Sequence, residues 1–175
     1  MNDILTLIKT RRSARNFKSD PVPQEILDKI IEAGTYAASA MGRQSAIIVQ
    51  VSNKALRDKI AEENRKIGGW PEGFDPFYGA PEMLIVLSKK SEPNGVYDGS
   101  LVMGNIMLAA HALGIASCWI HRAKEEFDGP LGKEILKTLG ISEEYEGIGH
   151  CALGYAACAL PNPPARKPNR VFKIK

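Results

Sequence analysis

The chain has 175 residues, 44% of them hydrophobic, with 23 basic against 20 acidic side chains and a formal charge of +3. That composition excludes disorder and collagen-like repeats and is ordinary for one globular domain with a real core. The charge is too small for a general nucleic-acid binder; what stands out is its placement, since basic residues gather at both ends, Arg11, Arg12, Arg15 and Lys18, then Arg166, Lys167, Arg170, Lys173 and Lys175.

In chain order, Asn2 or Asp3 can cap a short amphipathic helix carrying Ile4, Leu5, Leu7 and Ile8, which runs into 11-RRSARNF-17. Asp20, Pro21 and Pro23 break the chain, leaving residues 13–20 as a loop or extended piece. Pro23 opens a helix with Ile26, Leu27, Ile30 and Ile31 on its inner face, and Gly34 is its expected stop. The run 46-AIIVQV-51 reads as a buried strand, and 53-NKALRDKIAEENRKI-67 as a helix capped by Asn53 and ended by Gly68 and Gly69. An aromatic, Gly- and Pro-rich loop, 70–81, precedes a second buried strand, 83-MLIVL-87. The segment 97–114 is apolar almost all round, a helix that a large core or a subunit interface must cover. A third strand at 115-IASCWI-120, a helix at 129–140 and a fourth strand at 147-GIGHCALGY-155 complete an alternating order that implies a layered α/β or α+β protein. The tail 161-PNPPARKPNRVFKIK-175 is proline-rich and basic, and its end alternates like an edge strand able to reach another subunit.

No stretch reads as a secretory signal or a membrane span, so a cytoplasmic location without membrane contact is expected. Cys118, Cys151 and Cys158 are odd in number and form no C-x-x-C pair, so they read as buried small hydrophobes; no residue set reads as a metal site.

A run of three arginines in five residues is most often a solvated face. Here it lies at a helix end and leads into a loop with a serine, which suits an anion. Several segments taken in order, 11-RRSARNF-17, 37-AASAMGRQ-44, 79-GAPEMLIVL-87, 98-DGSLVMGNIMLAAHALGIASCWI-120, 150-HCALGY-155 and 166-RKPNRV-171, resemble the FMN-dependent nitroreductase family over nearly the whole chain. The resemblance implies an α+β fold with a central, mainly antiparallel sheet flanked by helices, in an intertwined homodimer with FMN in clefts between subunits. It implies a single FMN-binding domain over 1–160 and a C-terminal extension, 161–175, reaching the partner.

By the same resemblance, Arg11, Ser13, Arg166 and Lys167 serve the phosphate and ribityl chain, and Arg12 and Arg15 are divided between these and the pyrimidine edge. Arg15 is the expected cation near flavin N1 and O2, where it favours the reduced cofactor. Ser39, Ala40 and Gly42 correspond to a turn that reaches the flavin from the neighbouring subunit, although Ala38 and Gly42 replace the family's common proline and asparagine. Trp119, Ile120 and His121 correspond to the segment over flavin N5 and O4, whose backbone N–H groups stabilise developing charge. No side chain is expected to be catalytic, because hydride transfer from NAD(P)H to flavin N5 needs stacking rather than a protein acid. With no G-x-G-x-x-G after a strand, NAD(P)H and a flat electrophilic acceptor, nitroaromatic or quinone, would share one cleft in ping-pong order. The aromatic loop with Trp70, Phe74, Phe77 and Tyr78 is the expected seat of selectivity. A non-catalytic flavin carrier is the alternative, and a nucleic-acid-binding module using the two basic ends a weaker one.

Overall fold

A computed structural model describes residues 4–175, so the cap expected from Asn2 or Asp3 lies outside the described residues. Four strands, β1 (Ala46–Val51), β2 (Glu82–Lys89), β3 (Ala116–Ile120) and β4 (Tyr145–Gly154), form one antiparallel sheet in the order β1-β2-β4-β3. Six helices accompany it: α1 (Ile4–Thr10), α2 (Gln24–Thr35), α3 (Lys54–Ile67), α4 (Gly95–Ala112), α5 (Ala123–Asp128) and α6 (Pro130–Thr138). The architecture is the α+β sheet expected from the residue pattern.

The sheet separates two apolar layers. Leu84, Val86, Cys151 and Leu153 pack with Leu27 and Ile30 of α2 and with Val102, Met103 and Ile106 of α4. Met83, Ile85, Leu87 and Ala152 pack on the opposite side with Ile60 of α3, Phe127 of α5 and Ile135 and Leu136 of α6. Strand β2 is therefore covered on both faces, which explains why its sequence is a continuous apolar run rather than an alternation.

Asn53 caps α3 as its sequence implies, its side-chain oxygen accepting from Leu56 N at 2.9 Å. Helix α2 ends at Thr35, beside Gly34 as the sequence implies, but Gly34 is itself helical and supplies no glycine cap. It is buried inside the helix, where a Cβ would come within 2.8 Å of Ile106 Cγ1, so the glycine serves the close crossing of α2 over α4. Helix α5 has no sequence signal beyond Ala123 and Phe127 at i,i+4 spacing, too short to read as a helix. Cys118 and Cys151 are buried as expected, whereas Cys158 is exposed because the chain has already left the sheet there.

Two glycines of 147-GIGHCALGY-155 are required by packing. A Cβ on Gly147 would overlap the backbone of Ala123, and one on Gly149 would overlap the indole of Trp119. Strand β4 thus has a bare surface on which α5 and Trp119 sit. Between these glycines the pairing with β2 slips by one residue, at Ile148.

Apolar surface remains uncovered. Helix α1 buries none of its residues and exposes Ile4, Leu5 and Ile8, and α4 exposes Val96, Tyr97 and Leu101. Residues 161–175 form no helix or strand and are exposed throughout, so the alternation of 171-VFKIK-175 finds no sheet edge within this chain. Among the described residues no helix is long and apolar enough to cross a membrane.

Gly147→Ala is expected to destabilise the fold by about 1–3 kcal/mol, since the overlap is with backbone that cannot rotate aside. A denaturant midpoint equal to that of the unsubstituted protein would show that α5 can move off β4 at no cost.

Candidate functional site

The segment 11–17 is placed by backbone pairing. Arg11 N still bonds Leu7 O of α1 at 3.1 Å, after which the chain becomes extended. Ser13 bridges Ser117 at the open edge of β3, and Ala14 N donates to Ser117 O at 3.0 Å. Phe17 then bridges Ala156 just beyond β4, secured by Ala157 N to Asn16 O at 3.0 Å and Lys18 N to Tyr155 O at 2.8 Å. Ala14 and Phe17 enter the core, so Arg11 and Arg12 are left half-buried at the edge.

There they line a cavity of about 180 Å³ together with His111, Gly114, Ile115, Ala116 and Ser117. Arg11 Nη1, Arg12 Nε, Arg12 Nη2 and Ser117 Oγ are buried in it without a hydrogen-bond partner, while Arg12 Nη1 donates to the carbonyl of Arg11. A buried donor left unpaired costs about 1–3 kcal/mol, more when charged. No carboxylate lines the cavity among the described residues, so the positive field is not neutralised from within. Burial lowers the pKa of His111, and repulsion from Arg11 and Arg12 lowers it further. Planar, fork-shaped donors gathered without a protein anion fit a phosphate.

Strand β3 leads from this cavity to Trp119, Ile120 and His121. At ~3.3 Å per residue, Ser117 and His121 are roughly 13 Å apart. Ser13 and Arg15 stand beside Cys118 along this path; burial pushes its thiol pKa up, and Arg15, a hydrogen bond from Ser13 and Arg11 oppose that. Trp119 lies over Gly149 with its indole N–H buried and unpaired, and its ring is 6.1 Å from that of His121, which is exposed.

A buried polar chain fixes the end of the strand. Asn64 Nδ2 donates to His121 O at 2.8 Å and to Glu126 Oε1 at 2.6 Å, and Glu126 Oε2 lies 2.7 Å from His150 Nε2. Asn64, Glu126 and His150 are exposed by 0%, 2% and 0%; Asn64 alone reaches the carbonyl, Glu126 supports it, and His150 stands in close charge contact with Glu126 without a well-aligned hydrogen bond. Arg122 follows in the left-handed region at φ 81°, and its guanidinium lies 5.6 Å over the Trp70 ring rather than in solvent.

The aromatic loop is held rigidly. Arg57 reaches Ala80 O at 3.2 Å, pairs with Asp75 and covers the Phe77 ring, and Asp75 accepts from Phe77 N at 2.9 Å and Gly79 N at 2.8 Å. Phe77 is thereby buried in the core, unlike the pocket role expected of it, whereas Trp70, Phe74 and Tyr78 form a row with centroid spacings of 5.2 and 6.1 Å.

Ser39, Ala40 and Gly42 lie elsewhere. Ala40 N donates to both carboxylate oxygens of Asp98, at 3.1 and 3.2 Å, and Ser39 Oγ accepts from Gln44 N at 3.0 Å. Met41, Gly42 and Gln44 all have positive φ, so the turn is tightly wound. Asp98 and His111 are both on α4, so this turn and the arginine cavity are roughly 20 Å apart along the helix axis. Arg166 and Lys167 are exposed, and the Arg166 guanidinium bonds only to Pro164 O, at 2.6 and 3.2 Å. Within one chain, then, Arg11, Arg12, Ser13 and Arg15 cluster at β3, and Trp119, Ile120 and His121 continue from them. Ser39, Ala40 and Gly42, like Arg166 and Lys167, are not brought to that cluster. Sequence reasoning missed His111, Ser117, Asn64, Glu126 and His150; the lone histidine near the end of an otherwise apolar α4 was the one available signal.

A profile of the nitroreductase family matches residues 8–155. A protein of Methanothermobacter thermautotrophicus, provisionally named an NADH dehydrogenase/NAD(P)H nitroreductase, is 31% identical over 99% of this chain and 87% of its own length. The FMN reductase [NAD(P)H] of Bacillus subtilis is 37% identical over 67% of this chain and 53% of its own. Crystal structures of FMN-bound nitroreductases from Bacteroides fragilis and Desulfitobacterium hafniense superpose over the full length of both chains, with TM-scores of 0.90 and 0.89 at 30% and 29% identity.

Asn64→Ala would strip donors from His121 O and Glu126 Oε1, and is expected to cost about 1–3 kcal/mol for each orphaned acceptor. Denaturant unfolding reads the loss, and faster amide exchange at residues 121–126 locates it; exchange unchanged in that segment would show that the carbonyl is held by something else.

Proposed function

This chain belongs to the nitroreductase family, and we propose that it is an FMN-dependent NAD(P)H oxidoreductase acting on a flat electrophile such as a nitroaromatic or quinone. The observation that carries this reading is the cavity of buried, unpaired arginine donors at the edge of β3. The FMN-bound relatives of similar sequence and near-identical fold, and those named for NAD(P)H-dependent activity, support it. When bound, FMN supplies two-electron transfer, taking a hydride equivalent from the reduced nicotinamide and passing it to the acceptor.

The chain's own residues bind and orient. Arg11 and Arg12, with Ser13, hold the phosphate by charge-assisted hydrogen bonds, and Arg15 lends positive charge beside the pyrimidine edge. The backbone of Trp119, Ile120 and His121, about 13 Å along β3, faces the ring. The Asn64–Glu126–His150 chain keeps that backbone from turning. No side chain is assigned an acid or base role, since positioning reactants in a cleft that excludes water is sufficient for this transfer. Donor and acceptor occupy that cleft in turn.

The working unit in this reading is a homodimer. Residues 1–160 form the domain, and 161–175 an arm that brings Arg166 and Lys167 to the partner's phosphate site. The exposed apolar residues of α1 and α4, together with Val171, Phe172 and Ile174 of the arm, supply the surface. A second copy also answers the separation between the Ser39–Gly42 turn and the arginine cavity, by contributing that turn across the interface. Three free thiols and redox chemistry on small molecules fit a cytoplasmic location.

The purified protein is expected to show flavin absorbance that bleaches on anaerobic addition of NADH or NADPH; a bound flavin untouched by either would make it a carrier. Arg11→Ala is expected to weaken FMN binding roughly 10–100-fold, read by flavin retained after dialysis against known concentrations. Deleting residues 161–175 is expected to lower both FMN retention and dimer stability, read by sedimentation. A full-length chain that sediments as a monomer at micromolar concentration would remove the shared cleft.

A further inference from the structure

Resting on the reading of the Arg11–Arg12 cavity as a phosphate seat, we propose that His111 is the proton-linked third cation of that cavity, so that a phosphate monoester binds together with a proton taken up from solvent. The hydrogen-bond pattern sets up this role. Thr10 Oγ1 lies 2.8 Å from Thr6 O and 2.9 Å from His111 Nε2. A hydroxyl has one hydrogen, and the carbonyl of Thr6 can only accept, so the hydroxyl donates there. His111 Nε2 must then carry the hydrogen that reaches Thr10 Oγ1, which leaves Nδ1 with its lone pair and no hydrogen bond among the described residues.

Among the described residues, the charged groups that bear on this ring are positive. Arg11 and Arg12 approach from the extended segment, and Lys9 on α1 is exposed. Strand β3 offers Ser117, and the return of the chain offers Ala156 and Leu160, none of them ionisable. Burial and the two guanidinium groups therefore bias the imidazole toward its neutral form. A phosphate dianion offsets the two guanidinium charges and, by its own attraction, favours the protonated ring, whose new Nδ1–H becomes a donor. The step is a single proton transfer from solvent to Nδ1, with no covalent bond made or broken in the ligand.

The linkage has a definite direction. A histidine whose folded pKa lies below 6.5 binds fewer protons folded than unfolded, so it costs stability as pH falls through 6.5, and phosphate lifts that cost by raising the folded pKa. The phosphate monoester's own second ionisation, near pH ~6, acts oppositely by depleting the dianion. The contribution of His111 is accordingly the difference between the protein and His111→Gln.

Calorimetric titration of the flavin-stripped, full-length protein with FMN at pH 7, in two buffers of different ionisation enthalpy, counts the protons. The expected result is uptake of up to about one proton per FMN, none with riboflavin, and loss of that uptake in H111Q. Inorganic phosphate serves as the minimal probe, and its thermal stabilisation is expected to grow from pH 8 to pH 6 in the protein more than in H111Q. Nitrogen-15 shifts of His111 in the unsubstituted protein, with and without FMN, report the same proton should the variant fold poorly. Equal proton uptake by the protein and H111Q, or a His111 ring that stays neutral with FMN bound at pH 6, would overturn the proposal. Should FMN and riboflavin bind equally well, or Arg11→Ala and Arg12→Ala leave FMN affinity unchanged, the phosphate seat itself would be lost.

Discussion

Arg11 and Arg12 line one cavity at the edge of a sheet with no carboxylate beside them among the described residues, and like charges so placed would separate if the chain allowed it. The backbone does not. Ser13 and Ala14 are pinned to Ser117, Phe17 is sunk into the core and pinned to Ala156, and the helix behind them ends only at Thr10. Arg11 and Arg12 are what these anchors leave over, so cation repulsion is sustained by sheet pairing and hydrophobic burial several residues away. An anion held there, as proposed, would meet a backbone already fixed by these pairings, which lowers the ordering cost of binding.

The opposite end of β3 is governed by a different economy of space. Gly147 and Gly149 clear one surface of β4, Trp119 and Ala123 occupy it, and the turn between them bends through Arg122 in the left-handed region. That bend aims the carbonyl of His121 inward, where it needs a donor, and Asn64 provides one while tying it to Glu126 and His150. Small residues in β4 and buried polar residues on three separate elements are thus one device, with each part making the next necessary.

Features set by local periodicity were legible in the sequence. Helix α3 follows from helical spacing and the Asn53 cap, and strands β1 and β2 from short apolar runs between turn residues. Features set by long-range proximity were not. Gly34 looks like a glycine cap until Ile106 is seen beneath it, Phe77 like a pocket wall until Arg57 and Asp75 draw it into the core, and Cys158 like its two buried counterparts until the chain is seen leaving the sheet. The arginines of 11–15 drew notice because they stand at a helix end beside a serine, since density alone reads as a solvated face. His111 and Ser117 joined them only through the crossing of α1, α4 and β3, and no spacing rule links residues a hundred positions apart. The tail was readable as extended, yet its role depends on what lies beyond one chain.

The anchoring of the 70–81 loop bears on the rhythm of turnover. Arg57 grips Asp75 and Ala80, and Asp75 in turn grips Phe77 and Gly79, so Phe74 and Tyr78 flank a segment tied to helix α3, and Trp70 packs against Phe74. Many enzymes owe their slowest event to a flap that must open before product can leave. In the proposed oxidoreductase, a row of rings tied down in this way would sort flat acceptors by shape at the threshold and not by closure over them.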